Sequence, residues 1–342
     1  DPKQFPIPEA LRAAIVAAYD AGETNYPPSN GMPDLRSAVQ KFYARALGLE
    51  YPVESILIAG GARPIIYGTY ATLVDPGDVV VYPAPSWNNN HYVHMSGAKG
   101  VPVKCGPETR FLPTRASVLE HLPKARLVCL NSPLNPTGTA MSRDMVLGIS
   151  EAIVKENQAR VGRGQKPCYL MYDHIYWMLT AEGTTHHTPP ELVPEMARYT
   201  IFVDGISKAF AATGVRVGWA VGPTDVIDRM SAILGHIGAW APRAEQVATA
   251  KLLEDQSAMR AYVTSLRGGI NARLGALHEG FQAMKGSGLP VESLSPEGAI
   301  YLTVKIAPFG KSATNGQRLA TNEDVRRFVD LLQRPVVPSD LA

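Results

Sequence analysis

The chain has 342 residues, 45% of them hydrophobic, with 33 basic against 31 acidic side chains and a net charge of +2. A disordered chain combines few apolar residues with high net charge, so disorder is excluded. No basic stripe marks a nucleic-acid binder, and no apolar run approaches the roughly 20 residues that span a bilayer. The length suggests two domains, or one large core with an appendage. Cys105, Cys129 and Cys168 form no CxxC pair and show no metal-ligand spacing, so free thiols in a reducing, cytoplasmic compartment are expected, and no metal. The chain opens on Asp1-Pro2 without an initiator Met or a signal peptide, and the natural N-terminus is expected to lie upstream.

The elements alternate along the chain. Pro8–Asp20 carries Leu11, Ile15, Val16 and Tyr19 at helical spacing. A Gly/Pro/Asn loop, Gly22–Pro33, leads to a second helix over Asp34–Leu47, with Asp34 as its cap. Ser55–Ala59 reads as a strand, followed by Gly60-Gly61 and a helix through Leu73. Further strands are expected at Val79–Tyr82, Val101–Lys104, Leu127–Asn131, Tyr169–Tyr172 and Thr200–Asp204. Helices fill Arg143–Asn157, Thr224–Leu234 and a long stretch from Arg243 to Met284. Arg160–Lys166 is glycine-rich and basic and reads as a surface loop. After Gly286 the pattern changes to a strand over Ala299–Ile306 and a helix over Asn322–Leu332. Strands alternating with helices predict an α/β fold: a three-layer large domain with a mostly parallel central sheet, plus a smaller α/β domain. Residues 1–25 are expected to join the small domain, 26–250 to form the large one, and 251–342 to complete the small one.

In parallel α/β sheets ligands bind at the carboxyl ends of the strands. Gly60-Gly61-Ala62-Arg63 follows one strand at a helix start, where small residues let backbone N–H groups approach an anion. After Leu127–Leu130 comes Asn131-Ser132-Pro133-Leu134-Asn135-Pro136-Thr137-Gly138, whose prolines and glycine hold Asn135 in place. Asp173 ends another strand, with Tyr176 three residues on; an acidic residue there also suits a helix cap. Lys208, in Gly205-Ile206-Ser207-Lys208-Ala209-Phe210, has apolar and glycine neighbours, unusual company for a lysine. A desolvated lysine has a lowered pKa and can form a Schiff base. Eight residues later, Arg216 has the fork that binds phosphate.

Together, and in this order, these segments resemble the fold-type I pyridoxal-phosphate enzymes, specifically the class I/II aminotransferase family. The motifs are Asn-Ser-Pro-x-Asn-Pro-Thr-Gly at 131–138, Asp-x-x-Tyr at 173–176, and Ser-Lys-x-Phe-x-x-x-Gly-x-Arg-x-Gly-Trp at 207–219. The likeness runs from about Phe5 to about Tyr301. It implies pyridoxal 5′-phosphate as cofactor and transamination between an L-amino acid and a 2-oxo acid. By the same resemblance Lys208 forms the internal aldimine and moves the substrate Cα proton. Asp173 pairs with the pyridine nitrogen, and Asn135 and Tyr176 bond the phenolic oxygen. Trp87, in Pro83-Ala84-Pro85-Ser86-Trp87, stacks on the ring. Gly61, Ala62, Arg63, Ser207 and Arg216 hold the phosphate. Tyr26, with Gly31 and Leu35-Arg36 completing its pattern, reaches the phosphate of a neighbouring subunit, which implies a homodimer with shared active sites.

Three departures stand out. Asn135 and Asp173 are 38 positions apart, a longer gap than the family implies, with the excess assigned to Arg160–Lys166. Gly235–Glu245 does not match the Ser/Thr-rich family segment, which leaves Trp240 and Arg243 to shape specificity or to pack. The family's arginine for the substrate α-carboxylate, in a late Arg-x-Ser strand, has no counterpart. Val336-Val337-Pro338 resembles the strand before it, so that arginine is expected beyond Ala342, and the segment that covers the substrate upstream of Asp1. A β-lyase, decarboxylase or cyclising lyase shares the same carbanion and stays open as an alternative, as does a non-catalytic cofactor-binding domain. A dinucleotide-binding dehydrogenase is excluded, because no GxGxxG follows a strand.

Overall fold

The computed structural model describes residues 4–313 and 316–333. Seven strands share one sheet: β1 (Ile56–Ala59), β2 (Val79–Ala84), β3 (Lys99–Lys104), β4 (Ala125–Asn131), β5 (Tyr169–Asp173), β6 (Thr200–Gly205) and β7 (Gly218–Val221). Their spatial order is β1-β7-β6-β5-β4-β2-β3, and only β7 runs against the rest. Apart from the exposed edge strand β3, the strands are short and largely apolar on both faces, as a sheet covered on both sides requires. Leu57, Val80, Leu127, Met171 and Val203 face one layer of helices. Ile58, Val81, Val128, Leu170 and Phe202 face the other. Each such side chain contributes about 1.5–3 kcal/mol when fully buried.

The helices are α1 (Glu9–Asp20), α2 (Pro33–Leu47), α3 (Ala62–Leu73), α4 (Asn89–Ser96), α5 (Arg115–Leu119), α6 (Arg143–Gly162), α7 (Pro189–Leu192), α8 (Thr224–His236), α9 (Arg243–Glu254), α10 (Gln256–Gly286) and α11 (Asn322–Gln333). α3 and α8 cover one face of the sheet, and α2, α6 and α9 the other. Residues through Leu274, with Pro296–Tyr301, form one compact unit. Gly275–Ser295 and the described residues from Leu302 onward form a second, with the antiparallel pair β8 (Val291–Ser293) and β9 (Val304–Ile306) and helix α11. α1, expected in the small domain, packs on α9 within the first unit.

Local differences from the sequence expectation have local causes. β7 is not predicted: four residues that follow a polar loop carry no periodicity, and antiparallel pairing to both β1 and β6 makes them a strand. The stretch from Arg243 to Met284 is two helices, interrupted at Asp255, whose backbone leaves the helical region at ψ 80°. α2 starts at Pro33, where the fixed φ of proline suits the first helical position, so Asp34 lies inside the helix rather than capping it. α6 runs on to Gly162, so Arg160 belongs to a helix and not to a surface loop. It is buried, and its guanidinium donates to the carbonyls of Leu122 and Lys166 and to Glu156. The strand expected over Ala299–Ile306 shortens to Val304–Ile306, because Ala299 takes a left-handed φ of 60°. Val336-Val337-Pro338 lies outside the described residues.

Candidate active site

β4, β5 and β6 end side by side, with Asn131 in register with Asp173 and Asp173 with Val203. Their carboxyl ends and the start of α3 enclose a cavity of about 270 Å³. Ala62, Arg63, Trp87, Asn135, Asp173, Tyr176, Ser207, Lys208 and Arg216 line it, all chosen from the sequence. Asn131, Thr213 and Tyr301 line it too and were not chosen.

Asn131 ties two functional loops together. Its side-chain amide donates to the Asp173 carbonyl at 2.7 Å, and its Oδ1 accepts the Asn135 N–H at 2.7 Å. Its place at the head of the Asn-Ser-Pro-Leu-Asn-Pro motif was the available signal. Tyr301 arrives through Gly138. At φ 71°, Gly138 lets the segment 296–301 approach so closely that an added Cβ would meet the Tyr301 carbonyl carbon at 3.0 Å. The Gly138 carbonyl accepts the N–H groups of Glu297 and Gly298. Tyr301 Oη then lies 2.7 Å from Tyr176 Oη. No motif in the sequence links residues 163 positions apart, as Gly138 and Tyr301 are.

The electrostatics follow from burial. Burial pushes the Asp173 carboxyl up to about 6, against the opposing pull of the Ile175 N–H and of Lys208. Burial lowers Lys208, with Arg216 and Arg63 lowering it further and Asp173 opposing them. The Lys208 ammonium sits 5.5 Å from the centre of the Tyr176 ring. Burial raises Tyr176, and the hydroxyl of Tyr301 adds to the rise.

The end of the cavity at the start of α3 is a built anion cradle. Gly61, at φ 99°, precedes α3, and an added Cβ there would sit 2.8 Å from Cζ of Arg216. Arg216 takes a left-handed φ of 64°, and its guanidinium donates to the carbonyls of Thr213 and Gly60 at 2.7 and 2.8 Å. It thus lies across the N-terminus of α3, where free N–H groups and the helix dipole favour an anion. Arg63 lies over the Trp87 ring at 5.0 Å. A carboxylate to hold a ring N–H, two donors, a partly desolvated amine and a phosphate cradle form the donor set of pyridoxal phosphate, and these residues fit it.

Tyr26 is elsewhere. It is 82% exposed, packs edge-on against Trp240 with ring centres 5.3 Å apart, and shares a surface cleft with Arg243, which pairs with Glu23 at 2.5 Å.

Residues 1–329 match the model of the family "Aminotransferase class I and II". The chain is 32% identical over 307 residues to a probable aspartate/prephenate aminotransferase of Thermus aquaticus, covering 89% of this chain and 75% of that protein. It is 29% identical to an aspartate aminotransferase of Rhizobium meliloti (strain 1021), covering 94% of this chain and 75% of that protein. Among solved structures, the aspartate aminotransferase of Rhizobium meliloti superposes with a TM-score of 0.86 at 28% identity, over 95% of this chain and 78% of that one. The Thermus thermophilus aspartate aminotransferase with maleate gives 0.82 at 28% identity, over 94% and 82%.

Proposed function

We propose, from the premise that the chain belongs to the class I and II aminotransferase family, that the cavity beside Lys208 is where its transamination takes place. The enzyme transfers an amino group between an L-amino acid and a 2-oxo acid with pyridoxal 5′-phosphate. The observation that carries the site is the convergence of Lys208, Asp173, Tyr176, Asn135 and Arg216 on one cavity.

Bound pyridoxal phosphate supplies the carbonyl that takes up the amino group and the electron sink for charge at the substrate Cα. Asp173 holds a proton at the ring nitrogen, and its burial beside one cation keeps that bond dry. Lys208 carries the cofactor. With the cofactor bound and its amine free, Lys208 would take the substrate Cα proton and hold it for return; burial lowers its pKa, which makes it a readier base. Tyr176 and Asn135 donate to the phenolic oxygen, and Tyr301 holds the Tyr176 hydroxyl. Arg216, Ser207, Arg63 and the N–H groups at Gly61 and Ala62 hold the phosphate, and Trp87 packs on the ring. Segment 26–250 is the cofactor-binding domain in this reading, since of the cavity residues only Tyr301 falls outside it.

Tyr26 completes the cavity of a second copy in a homodimer. Its exposure supports this, because a tyrosine that served its own cavity would be turned toward it. The names of the relatives support a dicarboxylic amino acid such as aspartate as amino donor. Three buried free thiols support a reducing, cytoplasmic setting. The test is an amino-acid panel against the holoenzyme with and without a 2-oxo dicarboxylic acid. Oxo-acid product that depends on the acceptor, with aspartate preferred, is the expected result. Product without an acceptor would mean a lyase.

A further inference from the structure

Behind the cavity lies a second buried polar group that the transamination chemistry does not use. Asp204, on β6, is 2% exposed. Its Oδ1 accepts the Gly205 N–H at 2.7 Å, three residues before Lys208. Its Oδ2 accepts Trp177 Nε1–H at 3.0 Å and the Tyr43 hydroxyl at 3.2 Å. Tyr43 Oη is also 2.8 Å from His174 Nε2, and His174 Nδ1 is 3.3 Å from His186 Nε2. His174 is fully buried and follows Asp173 directly, while His186 lines a surface cavity of about 290 Å³ with Thr180 and Arg267.

We propose that Asp204 is a positioning residue of the active site, at the inner end of a reversible hydrogen-bond chain, His186–His174–Tyr43–Asp204, that sets the charge behind Asp173. The geometry allows two complete arrangements. In the first, His186 Nε2–H donates to His174 Nδ1, His174 Nε2–H to Tyr43, and the Tyr43 hydroxyl to the Asp204 carboxylate. In the second, His186 has taken a proton at Nδ1 from its cavity, and each member has passed one inward. Asp204 then donates to Tyr43, Tyr43 to His174 Nε2, and His174 Nδ1–H to His186 Nε2. One proton is gained, it resides on Asp204, and no histidine is left charged. Every member of the chain keeps its partner in both arrangements, which makes both tenable in a buried network.

The surroundings agree. Burial keeps His174 and His186 neutral and lifts Asp204 to about 7, with Asp173 contributing to that rise. The groups that face the chain are Tyr43 from α2, Tyr172 on β5, Asp173, His174 and Trp177 from the end of β5 and the turn beyond it, His186 and His187 ahead of α7, Tyr51 ahead of β1, and Trp219 on β7. The charge on Asp204 therefore acts on Asp173, and its bond to the Gly205 N–H acts on the loop of Lys208.

Two measurements on the holoenzyme test this. With 15N-labelled histidine, the ring proton of His174 should move from Nε2 to Nδ1 as pH falls through about 7. One unchanging tautomer from about pH 8 to pH 5 overturns the chain, and this reading needs no mutant and no assigned role for Asp173. In Asp204→Asn, loss of the negative charge should lower the midpoint of the pH titration of the bound cofactor's visible band by about half a unit. A folded variant with the wild-type midpoint overturns the coupling to the site.

Discussion

Tyr301 Oη stands 2.7 Å from Tyr176 Oη, and Tyr176 in turn lines the cavity beside Asn135 and Lys208. Tyr176 has one hydroxyl proton. If it donates to the phenolic oxygen of the cofactor, Tyr301 is left as donor to Tyr176. Tyr301→Phe removes that donor and little volume. One hydrogen bond near the reacting atoms is worth about 1–1.5 kcal/mol, so kcat should fall by about tenfold. The midpoint of the cofactor's visible titration should rise, since the phenolic oxygen loses support for its negative charge. An unchanged spectrum and rate would remove Tyr301 from the site.

Gly61→Ala tests the phosphate cradle. The new methyl would collide with the Arg216 guanidinium, and φ 99° strains any side chain. Cofactor affinity should fall by about tenfold or more, read by fluorescence titration of the apoprotein, with the far-ultraviolet dichroism of the fold retained. Wild-type affinity would place the phosphate elsewhere.

Asp173 should cost the empty protein stability. Its folded carboxyl titrates at about 6, above an unfolded carboxyl, so the native state binds more protons. Stability therefore falls as pH rises from about 4 through about 6, by a total of about 3 kcal/mol from this group. Asp173→Asn has no such dependence. In apoprotein at pH above about 7 its Tm should exceed wild type, while the holoenzyme loses its turnover. A lower Tm of the variant apoprotein at that pH would contradict the burial argument.

The residues proposed to carry chemistry were the readable ones, because each sits in a short loop directly after an apolar strand. Lys208, Asp173, Asn135 and Arg216 were found in this way, and the structure brings them to one cavity. What escaped depends on contacts distant in sequence. β7 becomes a strand only between β1 and β6. Tyr301 enters only because Gly138 lets its segment approach. Asp204 reads in the sequence only as the last residue of a strand; Tyr43 from α2 is what joins it to His174. The burial of Arg160 follows from a helix one and a half turns longer than its apolar pattern suggests.

The proposed sharing of sites makes a complementation test possible. A dimer of one Lys208→Ala chain and one Tyr26→Ala chain contains one cavity with Lys208 and the partner's intact tyrosine, and one with neither. Mixing the two inactive or weak variants after mild unfolding should restore up to about half of one wild-type dimer's activity per hybrid. No gain on mixing would show that Tyr26 does not serve a partner.

The most direct measurement is borohydride reduction of the holoenzyme, followed by mass spectrometry of its peptides. The pyridoxyl group should be found on Lys208, in the peptide that contains Ile206-Ser207-Lys208, and Lys208→Ala should show neither adduct nor amino transfer. An adduct on another lysine, or turnover retained by Lys208→Ala, would contradict the placement of the active site.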